Sequence, residues 1–306
     1  MSRTRPSLVR RMNLHKAWPL HLFLLPSVLL VFVYSYLPMG GIVIAFQNYK
    51  PWKGILGSDW AGWSHFAFMF QDERVVEIII NTLVIAVLKM LLGWIAPLVT
   101  ALLLNEVRIR FIKRSVQTLI YLPHFLSWVI LAGILTDMLT RQGLVNQLIQ
   151  AVGLPMIPFL ENSEWFRFTL VISDTWKEFG FGTIIYMAAL AGVNPSLYEA
   201  AEIDGADRWK QTIHVTIPAI LPIGVIIATL SLGNILNAGF DQVFNLINPL
   251  VLDKGEIIDT YVYAVGLLQG SFSFATAVGL FKSLVSFILV AATYRMAVKF
   301  ANYRIF

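Results

Sequence analysis

Three charged residues stand close together inside a long apolar segment of this 306-residue chain. Asp174, Lys177 and Glu178 occupy positions i, i+3 and i+4, so a helix over about 166–191 would carry them on one face. Ionisable groups within membrane-spanning helices are costly, and they usually face the bundle interior or a wet cavity. The sequence leaves two interpretations open: an internal ion pair that offsets this cost, or a face directed at a substrate or a partner subunit.

A second polar group follows helical spacing further along the chain. It consists of Asn234, Asn237 and Asp241. Amide and carboxylate side chains bind sugar hydroxyls, and aromatic rings supply surfaces on which sugars stack. This stripe therefore suits an oligosaccharide pathway, although hydrogen bonding between helices would use the same side chains.

Two lysines and a tryptophan extend this set of candidate pathway residues. Lys282 lies deep in a later apolar segment, where its side chain could extend to the interface, pair with an acid or contact an anionic sugar. Lys89 is a weaker case of the same kind. Trp128 is a candidate stacking surface, and packing against lipid or protein is its alternative role.

The chain lacks the sequence patterns of an enzyme. It has no cysteine, which excludes thiolate metal sites and cysteine nucleophiles, and its five histidines show no metal-ligand spacing. There is no H-E-x-x-H motif and no nucleophile elbow, and no glycine precedes any lysine, as a phosphate-binding loop requires. We therefore predict no catalytic residue, no metal and no cofactor in this chain.

The composition predicts a membrane protein. Residues are 57% hydrophobic and 13% charged, with a mean hydropathy of +0.70, whereas soluble domains carry roughly 25% charged residues. A spanning helix needs roughly 20 mostly apolar residues. Six segments qualify, at about 20–46, 76–104, 116–139, 166–191, 213–239 and 275–300. We predict an all-α, polytopic membrane helical bundle, with one transmembrane domain over residues 1–306.

Basic residues are distributed unequally between the segments that connect the predicted spans. With the N-terminus inside, 14 Lys and Arg residues fall on the cytoplasmic side and 5 on the outer side. This asymmetry and the even number of spans predict a multi-pass protein of the cell membrane with both termini cytoplasmic. The basic residues flank apolar segments and form no single patch, so we expect a lipid bilayer and no nucleic acid as partner.

The segment between the fourth and fifth predicted spans contains signals for two short helices. Asn194 and Pro195 are typical of a helix start. Gly205 interrupts the helical pattern and tolerates a positive φ, and a second short helix is expected over about 206–212. In the predicted topology this pair lies across the cytoplasmic face. An ordinary amphipathic connector would give a similar pattern.

This segment resembles the EAA motif of permease subunits of ATP-binding cassette (ABC) importers. The family pattern is Glu-Ala-Ala, three residues, Gly, nine residues, Ile, one residue and Leu-Pro. Here it falls on Glu199, Ala200, Ala201, Gly205, Val215, Ile217 and Pro218, with conservative departures at two positions. The resemblance covers nearly the whole chain and is to the carbohydrate branch, including polygalacturonate-type and alginate-type permeases. It includes QTLIYLPHFLSW (117–128) and ATAVGLFKSLVSFILV (275–290).

The resemblance implies a type I ABC importer permease fold. It also implies an assembly with a second homologous permease, two ATPase subunits that bind ATP and Mg, and an extracytoplasmic solute-binding protein. The motif would be a coupling helix, at about 195–212, that docks in a cleft of the ATPase. The residues it implicates in coupling are Glu199, Ala200, Ala201, Asp204, Gly205 and Pro218. It also aligns Trp176 with an aromatic position of the family, which adds Trp176 to the candidate pathway residues, with packing at the interface as its alternative role.

Three functions remain open at this point. The first is import of an oligosaccharide, and an acidic one would fit the basic residues within the spans. The second is import of a non-sugar solute by the same machinery. The third is a secondary transporter or channel without an ATPase, which inverted repeats and interrupted helices would support. Neither feature is visible in the sequence.

Overall fold

The computed structural model describes residues 14–233 and 235–301, and this part of the chain is almost entirely helical. The longer helices are α1 (Leu14–Val31), α3 (Ser64–Gln71), α4 (Glu73–Glu106), α5 (Arg110–Tyr121), α6 (Trp128–Leu139), α7 (Leu144–Ala151), α8 (Ser163–Ala191), α9 (Pro195–Ile203), α11 (Ile217–Gly233) and α15 (Phe272–Ala301). The shorter ones are α2 (Gly54–Gly57), α10 (Arg208–Gln211), α12 (Phe240–Leu246), α13 (Leu252–Gly255) and α14 (Ile258–Tyr263).

Tighter and wider helical turns join several of these helices. π-helical turns occupy Phe32–Tyr36, Thr212–Thr216 and Ala264–Leu268, and 3₁₀ turns occupy Leu37–Phe46, Leu122–Phe125 and Pro249–Val251. A two-stranded antiparallel sheet interrupts the helices near the start of the chain. Its strands are β1 (Gln47–Asn48) and β2 (Asp59–Trp60), with Gln47 opposite Trp60.

Polar side chains cap the helices that form the centre of the bundle. Asp72 accepts a hydrogen bond of 3.0 Å from the Arg74 backbone N–H at the start of α4. Asn162 does the same for two N–H groups at the start of α8, at 3.0 and 3.2 Å. These caps satisfy backbone donors that the first turn of a helix leaves without a partner.

Five helical stretches are long and apolar enough to cross a membrane. They cover His21–Phe46, Glu73–Glu106, Trp128–Ala151, Arg208–Gly233 and Phe272–Arg295. α8 continues through a bend of 69° into α9, and this bent pair is the sixth candidate span. The chain therefore forms the predicted all-α membrane bundle.

The third and fifth spans differ from the continuous helices that the sequence predicts. In the third, α5 ends at Tyr121 and α6 begins at Trp128, because Pro123 has no backbone N–H to continue the ladder of hydrogen bonds. In the fifth, α11 ends at Gly233, six residues before the predicted end. Both interruptions place irregular backbone inside an apolar segment.

α4 and α8 are the central pair around which the other helices pack. Two glycines of α8 allow close approach. A Cβ atom at Gly180 would collide with the carbonyl oxygen of Ile120, and one at Gly182 would lie 2.9 Å from the ring of Pro97. One buried apolar cluster joins α4, α8 and α12 through Ile85, Ala86, Phe166, Leu170, Val243 and Leu246.

Many large apolar side chains remain exposed on the outside of the bundle, including Phe23 in α1 and Phe287 in α15. A water-soluble monomer rarely exposes contiguous apolar surface of this extent. The surface is that of a protein surrounded by lipid, which agrees with the composition.

We predict that Gly180→Ala destabilises the bundle by about 1–3 kcal/mol, the usual cost of overpacking a close contact. The added methyl group has no room beside the Ile120 carbonyl oxygen. Gly279→Ala in α15 is the matched control, because nothing lies within 4 Å of its Cβ position. Thermal unfolding of the purified protein in detergent measures both variants, and equal midpoints would contradict the prediction.

Candidate functional site

The two short helices after α8 form an exposed elbow. Asn194 caps α9 by accepting a hydrogen bond of 3.1 Å from the Ser196 N–H, and Pro195 occupies the first turn. Gly205 has a φ of +76°, with its N–H donating to the Glu202 carbonyl and the next N–H to the Ala201 carbonyl. These two bonds are those of the helix-ending motif that favours glycine. The predicted pair of short helices with a glycine elbow is therefore confirmed.

The coupling residues predicted from the sequence lie on the surface. Glu199, Ala200, Asp204, Gly205 and Pro218 are exposed, and Ala201 is half-buried. No residue of α9 is buried. The Cβ position of Gly205 meets nothing within 4 Å, so within this chain the backbone conformation alone requires glycine.

The elbow also exposes two large apolar side chains that the sequence interpretation missed. Ile203 is 87% exposed and Trp209 is 72% exposed, on either side of Gly205. The sequence does contain a signal that could have identified them, because both are apolar residues near a glycine in an otherwise polar connector. An exposed apolar pair beside a carboxylate such as Glu199 is suited to binding a protein surface.

Specific side chains tie the elbow to the bundle. Asp207 caps α10 by accepting a hydrogen bond of 2.8 Å from the Lys210 N–H. The Tyr198 and Thr216 hydroxyls lie 3.0 Å apart, which joins α9 to the turn before α11. Arg208 donates to the Glu106 carboxylate at 2.7 Å, which joins α10 to the end of α4. A force on the elbow would therefore reach two spans directly.

The charged residues of α8 lie in two neighbouring networks. Asp174 lies 3.4 Å from the Lys89 ammonium group of α4. Lys177 donates to the Glu178 carboxylate at 2.8 Å and to the His124 backbone carbonyl at 2.9 Å. The His124 ring is 2.7 Å from the other carboxylate oxygen of Glu178. The three residues therefore have partners inside the chain, as one of the two interpretations proposed.

Aromatic rings surround the second of these networks. The Lys177 ammonium group lies 5.8 Å from the centre of the Trp128 ring. The His124 ring stacks on Phe181 at 4.0 Å between ring centres. His124 was not among the sequence candidates. The hydropathy pattern predicts a continuous third span and so does not place His124 in a turn beside α8. Trp176 lies in an apolar groove between α6 and α8 that Leu135 and Phe159 also line.

The predicted stripe of the fifth span does not lie on one continuous helix. Asn234 lies outside the described residues. Asn237 is in the non-helical stretch after α11, and Asp241 is in the first turn of α12. Gly239, with a φ of +93°, separates them and excludes an uninterrupted helix. Asn237 and Asp241 are nevertheless both exposed, on either side of the interruption.

Lys282 is paired with an acid. Its ammonium group lies 2.5 and 2.7 Å from the two carboxylate oxygens of Asp259, which joins α15 to α14. This agrees with one of the three roles considered for Lys282. Within residues 14–233 and 235–301, no group of His, Asp and Glu side chains is arranged to hold a metal ion.

Two acidic side chains are exposed close to the middle of the bundle. Glu178 is the sixteenth residue of the 29-residue helix α8, and its side chain is 41% exposed. Asp241 makes no ion pair with any described residue, and it precedes Gln242, which contacts Lys89 halfway along α4. Because a carboxylate is costly in hydrocarbon, the exposed side chains of Glu178 and Asp241 must face water or a polar surface of another subunit.

A polytopic helical bundle with exposed carboxylates near its middle and an exposed glycine elbow at one end is typical of a subunit of a membrane transporter. The chain belongs to the family of binding-protein-dependent transport system inner membrane components, whose model matches residues 89–298.

The chain is similar to characterised relatives over most of its length. It is 47% identical to the polygalacturonan/rhamnogalacturonan transport system permease protein YteP of Bacillus subtilis (strain 168), over 92% of this chain and 88% of that protein. It is 43% identical to protein LplB of the same organism, over 92% of this chain and 89% of that protein.

Two crystal structures share its fold. One is of a bacterial ABC transporter involved in the import of the acidic polysaccharide alginate. A chain of that transporter superposes with a TM-score of 0.87 at 36% identity, covering 94% of this chain and 98% of that one. The other is of the alginate ABC transporter in complex with a periplasmic protein bound to an alginate pentasaccharide, with a TM-score of 0.86. The type I importer permease fold is thereby confirmed.

We predict that a cysteine at position 241 reacts with a charged, membrane-impermeant thiol reagent, because Asp241 is exposed and a carboxylate at membrane depth requires polar surroundings. The natural chain has no cysteine, so a single substitution gives an unambiguous label. Phe287→Cys is the control, since Phe287 is exposed on an apolar face of α15, where a thiol stays protonated and unreactive. Mass spectrometry of the assembled transporter in membranes measures the label. Labelling of both positions, or of neither, would contradict the prediction.

Proposed function

We propose that this chain is the permease subunit of an ATP-driven importer for an oligosaccharide. It would form half of the translocation pathway, with a second homologous permease forming the other half. The observation that carries the proposal is the elbow around Gly205, an exposed docking element whose helices are tied to α4 and α11. Family membership and the similarity to sugar permeases over more than nine-tenths of the chain support it.

The energy source in this proposal is outside the chain. Two ATPase subunits would bind ATP and Mg, and each would receive the elbow of one permease in a surface cleft. Glu199 would form a salt bridge with a basic residue of that cleft, and Ile203 and Trp209 would supply apolar contact next to it. Closure of the ATPase pair would then displace the elbow, and the Arg208–Glu106 and Tyr198–Thr216 contacts would transmit the displacement to the spans.

The orientation of the chain follows from the docking element. An ATPase that uses cytoplasmic ATP requires the elbow on the cytoplasmic side. α10 lies beside Glu106, so that end of α4 is cytoplasmic and the Glu73 end is external. Both termini would then be cytoplasmic, as the distribution of basic residues predicts.

The substrate class follows from the relatives. A permease for polygalacturonan and rhamnogalacturonan and a transporter for alginate are among the proteins most similar to this chain, and alginate is acidic. We therefore propose an acidic oligosaccharide, delivered by an extracytoplasmic solute-binding protein like the periplasmic protein of the alginate complex.

The pathway residues of the proposal differ in how free they are to meet a substrate. Asp174, Lys177 and Lys282 are engaged by partners within the chain. Glu178 is paired with Lys177 and His124 but keeps a 41% exposed side chain, Asn237 and Asp241 are exposed, and Trp128 and Trp176 offer partly exposed rings. We propose that these five residues form the sugar-facing wall and that the paired residues hold that wall in place. Asn234, outside the described residues, stays a candidate from the sequence alone.

We predict that Glu199→Lys and Gly205→Asp each strongly reduce uptake while leaving membrane insertion intact. The first reverses the charge offered to the ATPase, and the second strains the elbow at its left-handed residue. Uptake of labelled oligosaccharide by cells, with immunoblotting of the membrane fraction, measures both effects.

Matched controls separate docking from general damage. Glu202→Lys makes the same charge change elsewhere on α9. Gly153→Asp makes the same change at another open glycine with a φ of +80°, in the turn after α7 and outside the elbow. Wild-type uptake in both docking variants would refute the coupling role.

We predict that acidic oligosaccharides stimulate ATP hydrolysis by the reconstituted transporter. The assay uses the complete complex in proteoliposomes with its solute-binding protein and compares oligogalacturonides, oligoalginates and neutral oligosaccharides of equal length. Stimulation by neutral sugars alone would remove the acidic assignment. Stimulation by no sugar would favour a non-sugar solute.

A further inference from the structure

The fifth span is interrupted close to the middle of the bundle. α11 ends at Gly233 and α12 begins at Phe240, beside residues of α4 and α8 that lie far from either helix end. Lys89 stands halfway along the 34-residue helix α4. Irregular backbone at membrane depth is tolerated only where protein buries it or where it lines a water-filled cavity. Some interaction must therefore satisfy the backbone groups that the interruption frees.

The ammonium group of Lys89 supplies that interaction for one of these groups, the Ala238 carbonyl. Its side chain is only 9% exposed, and it donates a hydrogen bond of 2.7 Å to the backbone carbonyl of Ala238. It also donates to the side-chain oxygen of Gln242, and it lies 3.4 Å from the Asp174 carboxylate. A single cation therefore binds both the interrupted segment and the helix that resumes after it.

Gln242 anchors the same point from the opposite side. Its amide nitrogen donates to the Leu170 carbonyl and to the Ser173 hydroxyl, each at 2.8 Å, and its side chain is fully buried. Ser173 in turn donates to the Thr169 carbonyl at 2.6 Å. These bonds join α4, α8 and the start of α12 into one buried polar network, which we call the Lys89 clamp.

Two observations explain why position 239, beside the Lys89 clamp, is a glycine. Its φ of +93° turns the chain out of the helical path. A Cβ atom there would also lie 2.9 Å from the Lys89 ammonium nitrogen, so a larger residue would displace the cation from its partners. The interrupted backbone therefore needs the Lys89 ammonium group, and the contacts of that group need a residue without a side chain at position 239.

We infer that Lys89 is a positioning residue for transport, because it holds the fifth span interrupted and so presents Asn237 and Asp241 to the pathway. The inference rests on the proposed function, in which these two exposed side chains face the substrate. Ala238, between them, is the carbonyl that Lys89 binds, and Gln242 is the neighbour of Asp241. Without the ammonium group, the freed carbonyl is best satisfied by continuing the helix, which turns Asn237 away from the wet surface.

The test measures the exposure of position 237 in the assembled transporter. Asn237→Cys is introduced alone and together with Lys89→Met, and sodium (2-sulfonatoethyl) methanethiosulfonate is the probe. We expect Lys89→Met to slow labelling by about tenfold, the effect of losing a hydrogen bond to a charged group. Arg74→Met is the matched control, since it removes an ion pair to Glu256 from the external end of the same helix. It should leave labelling unchanged.

A second measurement separates positioning from a loss of folded protein. The transporter carrying Lys89→Met should retain ATP hydrolysis stimulated by its binding protein, while oligogalacturonide uptake per ATP falls. A purely structural role would lower both together. If the Lys89→Met protein is not recovered, Gly239→Ala takes its place, because it keeps the charge and displaces the ammonium group.

Besides an equal fall in ATP hydrolysis and uptake, three labelling outcomes overturn the inference. One is unchanged or faster labelling after Lys89→Met, and another is an equal slowing by Arg74→Met. The third is failure of Asn237→Cys to label even with Lys89 intact, and this result alone would also refute the proposed pathway wall. The first two leave the proposed function standing.

Discussion

The structure depends on one constraint: a polar group at membrane depth needs a partner or water. Hydroxyl side chains meet it locally, as when Thr82 donates to the Ile78 carbonyl one turn earlier. Charged side chains meet it across helices, as in the Lys282–Asp259 pair. Where the fifth span loses its helical bonds, Lys89 binds the Ala238 carbonyl, and Gln242 joins the start of α12 to the Leu170 carbonyl of α8. The few polar groups left exposed therefore mark surfaces that lipid does not cover.

α4 connects the two functional regions of the molecule. Its Glu106 end is tied to the elbow through Arg208, and its midpoint is tied to the interrupted span through Lys89. About 25 Å of continuous helix separates these points, at 1.5 Å per residue. In the proposed function, a displacement of the elbow and a change at the pathway would therefore be linked by one helix, α4. The close contact between Gly180 of α8 and the Ile120 backbone of α5 holds the third span against α8.

Much of the fold could be predicted from local patterns. The number and order of the spans follow from hydropathy, because the bilayer imposes a minimum apolar length. The elbow follows from Asn194, Pro195 and Gly205, since a cap and a left-handed residue act through their own neighbours. The two interrupted spans could not be predicted in the same way. Hydropathy does not report where a helix stops within an apolar run. Proline does not report it either, because Pro123 marks a break whereas Pro97 and Pro222 lie inside helices.

The sequence by itself determined the membrane class, the orientation preference and the glycine elbow, because each arises from composition or from residues adjacent in the chain. The tertiary structure decided which polar residues pair and which remain exposed. Asp174 shares a predicted face with Lys177, yet its ion pair is with Lys89 on another helix. Asn237 and Asp241 fit a helical spacing, yet Gly239 separates them. Pairing across helices depends on how each helix is rotated and where it ends, and only the packed bundle sets those quantities.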